Sequence, residues 1–497
     1  MSEHYPVLIV AFPLLMSFVT YMFGVFSKRF PYYLSLVTSI VVVLMSGKLL
    51  QTVVNGDGRV RYFIGGWEPP WGIEYVIDYI NAPILASTSV IFFLLLLFTR
   101  NIVEKEIPHN KTGLFYSLLL LHLTGLLGVT ATGDTFNLYV LLEILSFSAY
   151  GIVATEKKGS EFFAFRYMIF GTIGACSYLL GVGYVYILTG SLNMIELSGI
   201  LPELPHSKAL ISAIVFFLTG ILIKMASFPV HVWLPDAYSY APSCVTVFLS
   251  CLSTKVAAYI LIRLVVAILW PALGEGLTLV FEFLGGIAAF GILFAGLMAI
   301  AQRDVVRGLS YIIISEIGYI LLALASLNSL GLKAAILHVI NDMFMMASIF
   351  SIWAFLYVAT GLSQVEEWKG LSQSFPLSGI ILIISALSII GIPPLCGFFS
   401  KWYILLSLLS SKKWVHSGVI ILSGLLNLIY FFRLIENFYF QSEKGHKYGS
   451  GPKVEVEKIF TLDKFAILVL AGSLLLLGLK NRYIMERIIS PGVSGVF

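Results

Sequence analysis

The sequence predicts an all-α polytopic membrane protein, and three observations carry that expectation. Of its 497 residues 58% are hydrophobic and 12% charged, where an average soluble domain carries roughly 25% charged residues; mean hydropathy is +0.93. The apolar residues fall into runs of the ~20 residues that a helix needs to cross a bilayer. Two of the runs are interrupted by proline close to an ionisable residue, the pattern of a span that lines a polar cavity rather than lipid.

Composition also excludes function classes. A net charge of +4 is small and scattered, so no nucleic-acid partner is expected. The N-terminal MSEHYPVLIV lacks the positive region and cleavage site of a secretory signal, so the first run is expected to remain as a span. Neither GxxxxGK[ST] nor GxGxxG occurs, which leaves an ion gradient or a partner protein as the energy source. Cys176, Cys244, Cys251 and Cys396 lie in apolar sequence without metal-ligand spacing and read as buried small hydrophobes. No cofactor and no metal is expected, and a membrane enzyme with its own redox centre lacks the cysteine cluster or haem-spaced histidines it would need.

In chain order about 14 transmembrane helices are expected, centred near residues 15, 41, 90, 121, 144, 175, 216, 254, 289, 318, 346, 389, 424 and 472. Lys28, Arg29, Arg100, Lys105, Lys111, Lys157, Lys158, Arg303 and Arg307 follow odd-numbered spans and so share one side. The positive-inside rule makes that side cytoplasmic and puts both termini outside a prokaryotic cell membrane; Lys412, Lys413, Lys480 and Arg482 vote the other way. Residues 51–79 would form an outer loop with a small hairpin around GGWEPPWG, and the polar segment 436–463 an inner connection along the membrane face.

The spans divide into an N-terminal three-helix region (1–110), two five-helix repeats (111–270 and 271–435) and a loop with a C-terminal helix (436–497). Each repeat carries a glutamate in its second helix, Glu143 or Glu316, and a lysine in its broken fourth helix, Lys224 or Lys401. An odd number of crossings turns the second copy upside down, giving two inverted repeats, each containing a broken helix.

The residues that could carry chemistry cluster at those breaks. Lys224 sits inside an apolar run in KMASFPVHVWLPDAYSYAPS, five residues before Pro229; a lysine at the bilayer centre costs about 3 kcal/mol or more and normally faces a bundle interior or an ion route. Glu143, in NLYVLLEILSFSAYGI, is its candidate partner, as a gate that opens when an ion arrives or as a static tie between helices. Lys255 lies in the next helix and would face the same cavity as Lys224. His231 and Asp236 flank the break as inlet or loop cap, and Arg263, near a span end, is expected to snorkel. His338 and Asp342 are four apart on one helix face, an imidazole beside a carboxylate, either a proton way station or a packing contact. Lys401 follows GIPPLCGF and would connect the buried route to the outer face; Arg433 and Glu436 read as an interfacial pair.

At LLEILSFSAYGI, KMASFPVHVWLPDAYSYAPS, DVVRGLSYIIISEIGYI and GIPPLCGFFSKW, in that order, the sequence resembles the antiporter-like family: large ion-translocating subunits of respiratory complex I, of Mrp-type sodium/proton antiporters and of membrane-bound hydrogenases. The resemblance covers roughly the first to the thirteenth span. It implies roles for Glu143 and Lys224 as the charge pair of a first half-channel, Lys255 as a bridging base, His338 as a central relay and Lys401 as the terminal group, with His231, Asp236, Glu316 and Asp342 as secondary candidates. Three positions depart from the family's pattern: Tyr238 stands where relatives often have histidine, Glu316 where glutamine is usual, and Met345 where many have lysine. Asp342 fits the variant found in the Mrp and hydrogenase branch.

The implied function is translocation of protons, coupled in some relatives to sodium, within a multisubunit membrane complex. Its partners would be other membrane subunits, lipid and, in a redox-driven complex, peripheral Fe–S oxidoreductase subunits. The competing reading is a scaffold subunit that has lost a complete proton path, for which Met345 is the best support.

Overall fold

The computed structural model describes residues 2–27, 29–155, 159–205, 207–440 and 462–493. Helices α1 (Tyr5–Phe26) and α2 (Phe30–Asn55) open the chain, each with proline in its first turn, where the missing N–H breaks no intrahelical bond. Strands β1 (Arg59–Phe63) and β2 (Glu74–Asp78) then pair antiparallel, Arg59 opposite Asp78, with GGWEPPWG in the connection between them. The all-α expectation gives way to strands at the small hairpin expected around GGWEPPWG: β2 is buried along its whole length, and strand pairing satisfies backbone groups that a buried loop would strand.

Helices α3 (Ala82–Glu106), α4 (Thr112–Ala131), α5 (Thr135–Val153) and α6 (Ser160–Thr189) follow, then a short α7 (Met194–Ile200). The first broken span is α8 (Lys208–Lys224), a stretch of turns, and α9 (Trp233–Tyr240). A nearly continuous rod comes next: α10 (Ser243–Phe248), a π turn (Leu249–Ser253), α11 (Thr254–Leu264), a second π turn (Val265–Leu269) and α12 (Trp270–Leu273). After α13 (Leu277–Ala301), α14 (Val305–Ala325) and α15 (Ser329–Thr360) comes the second broken span, α16 (Pro376–Ile390) and α17 (Cys396–Ser410). The chain closes with α18 (Trp414–Tyr439), α19 (Leu462–Leu479) and α20 (Asn481–Tyr483). Among the described residues, 10 helical stretches are long and apolar enough to cross a membrane. Most of the expected inner connection, 441–461, and the cations Lys28, Lys157 and Lys158 lie outside the described residues.

The two halves repeat one another in their turns. Asp134 and Asp304 each cap the next helix by accepting from a backbone N–H three residues on. Each also bridges antiparallel to the segment after the following helix, Asp134 to Asn193 and Asp304 to Gln364. The flanking bonds match as well: Thr135 N to Leu192 O and Val305 N to Ser363 O, both 2.9 Å. Both third helices, α6 and α15, end on a left-handed glycine, Gly190 and Gly361.

Packing interlocks the halves. In the first, α4 lies on α5 and α6 on α8; in the second, α13 lies on α14 and α15 on α17. Helix α9 crosses onto α14, and the α10–α11 rod onto α15. The α6–α8 contact depends on glycine: a Cβ on Gly220 would stand 2.6 Å from the Gly174 carbonyl oxygen, so only hydrogen permits that approach. One end of the bundle, the arginine face, holds Arg29, Arg100, Arg166 and Arg307; the other holds the hairpin. Both ends of the described chain reach the hairpin face, where His4 Nδ1 is 3.1 Å from Tyr62 Oη and Gly492 packs on Tyr79.

Candidate functional site

Lys224 is the last residue of α8, and the break places its ammonium against α5. Its Nζ donates to Ser146 Oγ at 2.7 Å and stands 3.7 Å from Glu143 Oε1. Glu143 and Ser146 are three apart, so they share one face of α5. The expected pair therefore exists, with a serine hydroxyl as the closer partner, while Glu143 Oε1 is buried without a hydrogen bond.

Lys255 turns to the other half of the molecule. Its Nζ donates to the Ser250 carbonyl in the π turn at 2.8 Å and lies 3.2 Å from Asp342 Oδ2, both side chains being fully buried. The rod packs on α15, which presents Asp342 as the ion-pair partner of Lys255, across from the half that holds Lys224. Tyr238, fully buried, donates from its hydroxyl to the Leu249 carbonyl at 3.0 Å and so ties α9 to the same π turn.

In the second half Glu316 is the centre rather than a secondary residue. Its Oε1 accepts from Lys401 Nζ at 2.8 Å, and its Oε2 lies 3.4 Å from His338 Nε2, with no exposure of its side chain. His338 Nδ1 is 3.0 Å from Ser400 Oγ. Lys401 also donates to the Ile389 carbonyl and sits 4.4 Å from the Tyr319 ring centroid. The carboxylate in contact with His338 is Glu316, while Asp342 meets Lys255. Lys401, expected to connect the buried route to the outer face, is held inside the bundle at 7% exposure.

Glu316 and Glu143 are not register equivalents. Glu316 stands eleven residues past the first residue of α14, the position that Ser146 occupies in α5. Capping by Asp134 and Asp304 sets both registers, so each broken-helix lysine meets the same point of the second helix, a hydroxyl in one half and a carboxylate in the other. Met345 is buried with its sulfur against Gly397 at the second break. The contacts among His338, Glu316 and Lys401 are direct and do not pass through it.

His231 and Asp236 are not brought together. The buried His231 ring packs among Phe228, Phe294 and Tyr311. Asp236 lies at the arginine face, accepting from Arg166 at 2.7 Å and Arg307 at 2.9 Å, and so joins α6 to α14.

Other residues escaped or contradicted the sequence reading. His122, a lone histidine in LLLLHLTG, is fully buried with Nε2 3.0 Å from Ser253 Oγ and Nδ1 3.2 Å from the Leu145 carbonyl. Its isolation in an apolar run was the available signal. Arg263 does not snorkel: it donates twice to Asp78 at 2.8 and 3.1 Å and once to Tyr259 Oη at 3.0 Å, since the hairpin brings a carboxylate to it. Arg433 bonds the Ile300 carbonyl and lies 3.7 Å from Glu366, rather than pairing with Glu436. Cys176 is exposed on α6, where the other three cysteines are buried. Among the described residues no group of three or more His, Cys, Asp or Glu side chains could hold a metal.

With this geometry in place, comparison with known proteins is direct. The family described as NADH:quinone oxidoreductase/Mrp antiporter, transmembrane, matches residues 132–426. The chain is 41% identical over 498 residues to NADH-quinone oxidoreductase subunit N of Desulforudis audaxviator, covering 98% of each. It is 29% identical to a Na(+)/H(+) antiporter subunit of Bacillus subtilis over 82% of each. Its fold is similar to a chain of the archaeal membrane-bound sulfane sulfur reductase complex (TM-score 0.90, 25% identity, 98% of this chain and 96% of that one). A chain of the Mrp complex from Dietzia shares the fold at TM-score 0.88 and 22% identity, over 100% and 97% of the two chains. The chain therefore belongs to the NADH:quinone oxidoreductase/Mrp antiporter transmembrane family, as a multi-span subunit of a bacterial or archaeal membrane complex.

Proposed function

We propose that the chain moves protons across the membrane through three buried contact groups: Glu143 with Lys224 and Ser146, Lys255 with Asp342, and His338 with Glu316 and Lys401. The observation that carries this reading is the Lys255–Asp342 pair, fully buried and joining the two halves. A buried ion pair is a costly way to fasten helices, and Asp342 shares α15 with His338, four residues away. A proton arriving at one carboxylate releases the lysine facing it, and the freed ammonium can protonate the next group. Against the scaffold reading stands the direct contact of Glu316 with both His338 and Lys401, which does not pass through Met345.

The same proposal assigns fourteen crossings in two inverted five-helix units, within the divisions 1–110, 111–270, 271–435 and 436–497. The paired turns at Asp134 and Asp304 support it. The first broken span runs from the hairpin face toward the arginine face and the second runs back, as inversion requires. The arginine face is cytoplasmic by the positive-inside rule, with both termini outside.

The relative at 41% identity is named as an NADH-quinone oxidoreductase subunit, which favours a redox-driven complex with peripheral Fe–S subunits. Sodium/proton antiport is the second reading, carried by the antiporter relative at 29%. Fe–S subunits encoded beside this chain would decide for the first. In proteoliposomes of the whole assembly, Lys224→Ala should abolish coupled transport while the complex stays assembled. Transport at the unmodified rate would overturn the proposed path.

A further inference from the structure

We propose that the cavity between α2, α3 and α4 at the arginine face binds the headgroup of an anionic phospholipid, with an acyl chain laid along α2. The cavity measures about 350 Å³, and its lining includes Arg29, Arg100, His109, Tyr32, Tyr33 and Tyr116, with Glu104 as its acid. Arg100 is held ready: its guanidinium carbon stands 5.0 Å from the Tyr32 ring centroid and 5.8 Å from that of Tyr33. Its Nε is 3.7 Å from Glu104, beyond hydrogen-bond length, so this contact does not occupy the guanidinium fork. A fixed, planar fork suits the paired oxygens of a phosphodiester. Glu104 is the carboxylate among the lining residues; Asp463, which also faces Arg100, accepts from the Asn101 amide on α3.

Free phosphate offers the same chemistry; the surroundings favour lipid. The cavity lies where three spanning helices end, at the depth of a headgroup layer. From its mouth at Tyr33 an exposed apolar stripe, Phe30, Tyr33, Val37, Ile40 and Leu44, runs along α2 at helical spacing. The opposite face of α2, with Ser35, Ser39 and Ser46, is buried. Headgroup pocket and apolar track are thus continuous on one helix.

The test uses the full-length chain in the complex with which it purifies, in phosphatidylcholine nanodiscs, with bound phosphatidylglycerol measured by native mass spectrometry. Phosphatidylglycerol should be retained at a tenfold lower mole fraction than added phosphatidylcholine of distinguishable mass. Arg100→Gln should raise the required fraction at least fivefold. Lys48→Gln, at the far end of α2, should leave it unchanged. If Arg100→Gln fails to assemble, Arg29→Gln, on an exposed side chain, makes the same test. Equal retention of the two lipids, or full retention by the arginine variants, overturns the site. Stoichiometric binding of inorganic phosphate without lipid overturns the lipid assignment, and so does a cross-link from Tyr33→Cys to a neighbouring subunit.

Discussion

Removing the charge of Glu316 while keeping its shape is the sharpest test of the second half. At 2.8 Å from Lys401, with an effective dielectric of about 20, the attraction is about 6 kcal/mol. Glu316→Gln keeps an acceptor for the ammonium, worth about 1 kcal/mol, but leaves Lys401 buried without a counter-charge. Breaking one side of a buried pair costs about 3–5 kcal/mol, so the lysine is expected to shed its proton or pull away from Tyr319. Measured as dye-reported proton uptake in proteoliposomes of the whole complex, the rate should fall at least tenfold in Glu316→Gln. Glu316→Asp, one methylene shorter and still charged, should retain a larger share. The substitution is informative because the resemblance places glutamine at this position in many relatives. If assembled Glu316→Gln complexes pump at the unmodified rate, the carboxylate at the centre of this cluster is not part of the path and the reasoning fails.

Ser146→Ala removes the nearest acceptor of Lys224 and should cost about 1–3 kcal/mol of stability; transport should fall less than in Lys224→Ala because Glu143 can close the 3.7 Å gap, and an equal loss in both would contradict the geometry. Asp78→Asn leaves Arg263 buried and unpaired and should cost about 3–5 kcal/mol, seen as a lower Tm of the purified complex. Adding Arg263→Leu should restore part of that loss, and a double variant less stable than Asp78→Asn would refute the pairing argument. Tyr238→Phe deletes one buried hydrogen bond to the π turn and should cost about 1 kcal/mol by thermal unfolding, with any larger effect confined to transport if the turn aims Lys255.

Much of the fold and the broad site was legible in the sequence. Length and apolarity of the runs located the helices, since nothing but a helix satisfies its own backbone in lipid. Lys224, Lys255, Glu316 and Lys401 were conspicuous because an ionisable residue in such a run has no cheap solitary state. Pro229 and the Pro393–Pro394 pair marked the breaks. Partner choice was not legible. Asp342 and His338 share a helix face in sequence, yet one answers to Lys255 and the other to Glu316, because two different helices pack against α15. Glu143 and Glu316 looked equivalent by helix number and differ by one turn, a register fixed by the capping aspartates. Arg263 looked like an interfacial cation until a hairpin 185 residues upstream supplied Asp78.

The sequence by itself determined that this is a polytopic membrane protein, where its charges lie along the spans and where two of the spans break, because these follow from local hydropathy, spacing and proline. Only the tertiary structure decided which charge meets which. Each helix can turn any face inward, and the crossing of α10–α11 onto α15 and of α9 onto α14 selects one set of pairs from many that the spacing allows.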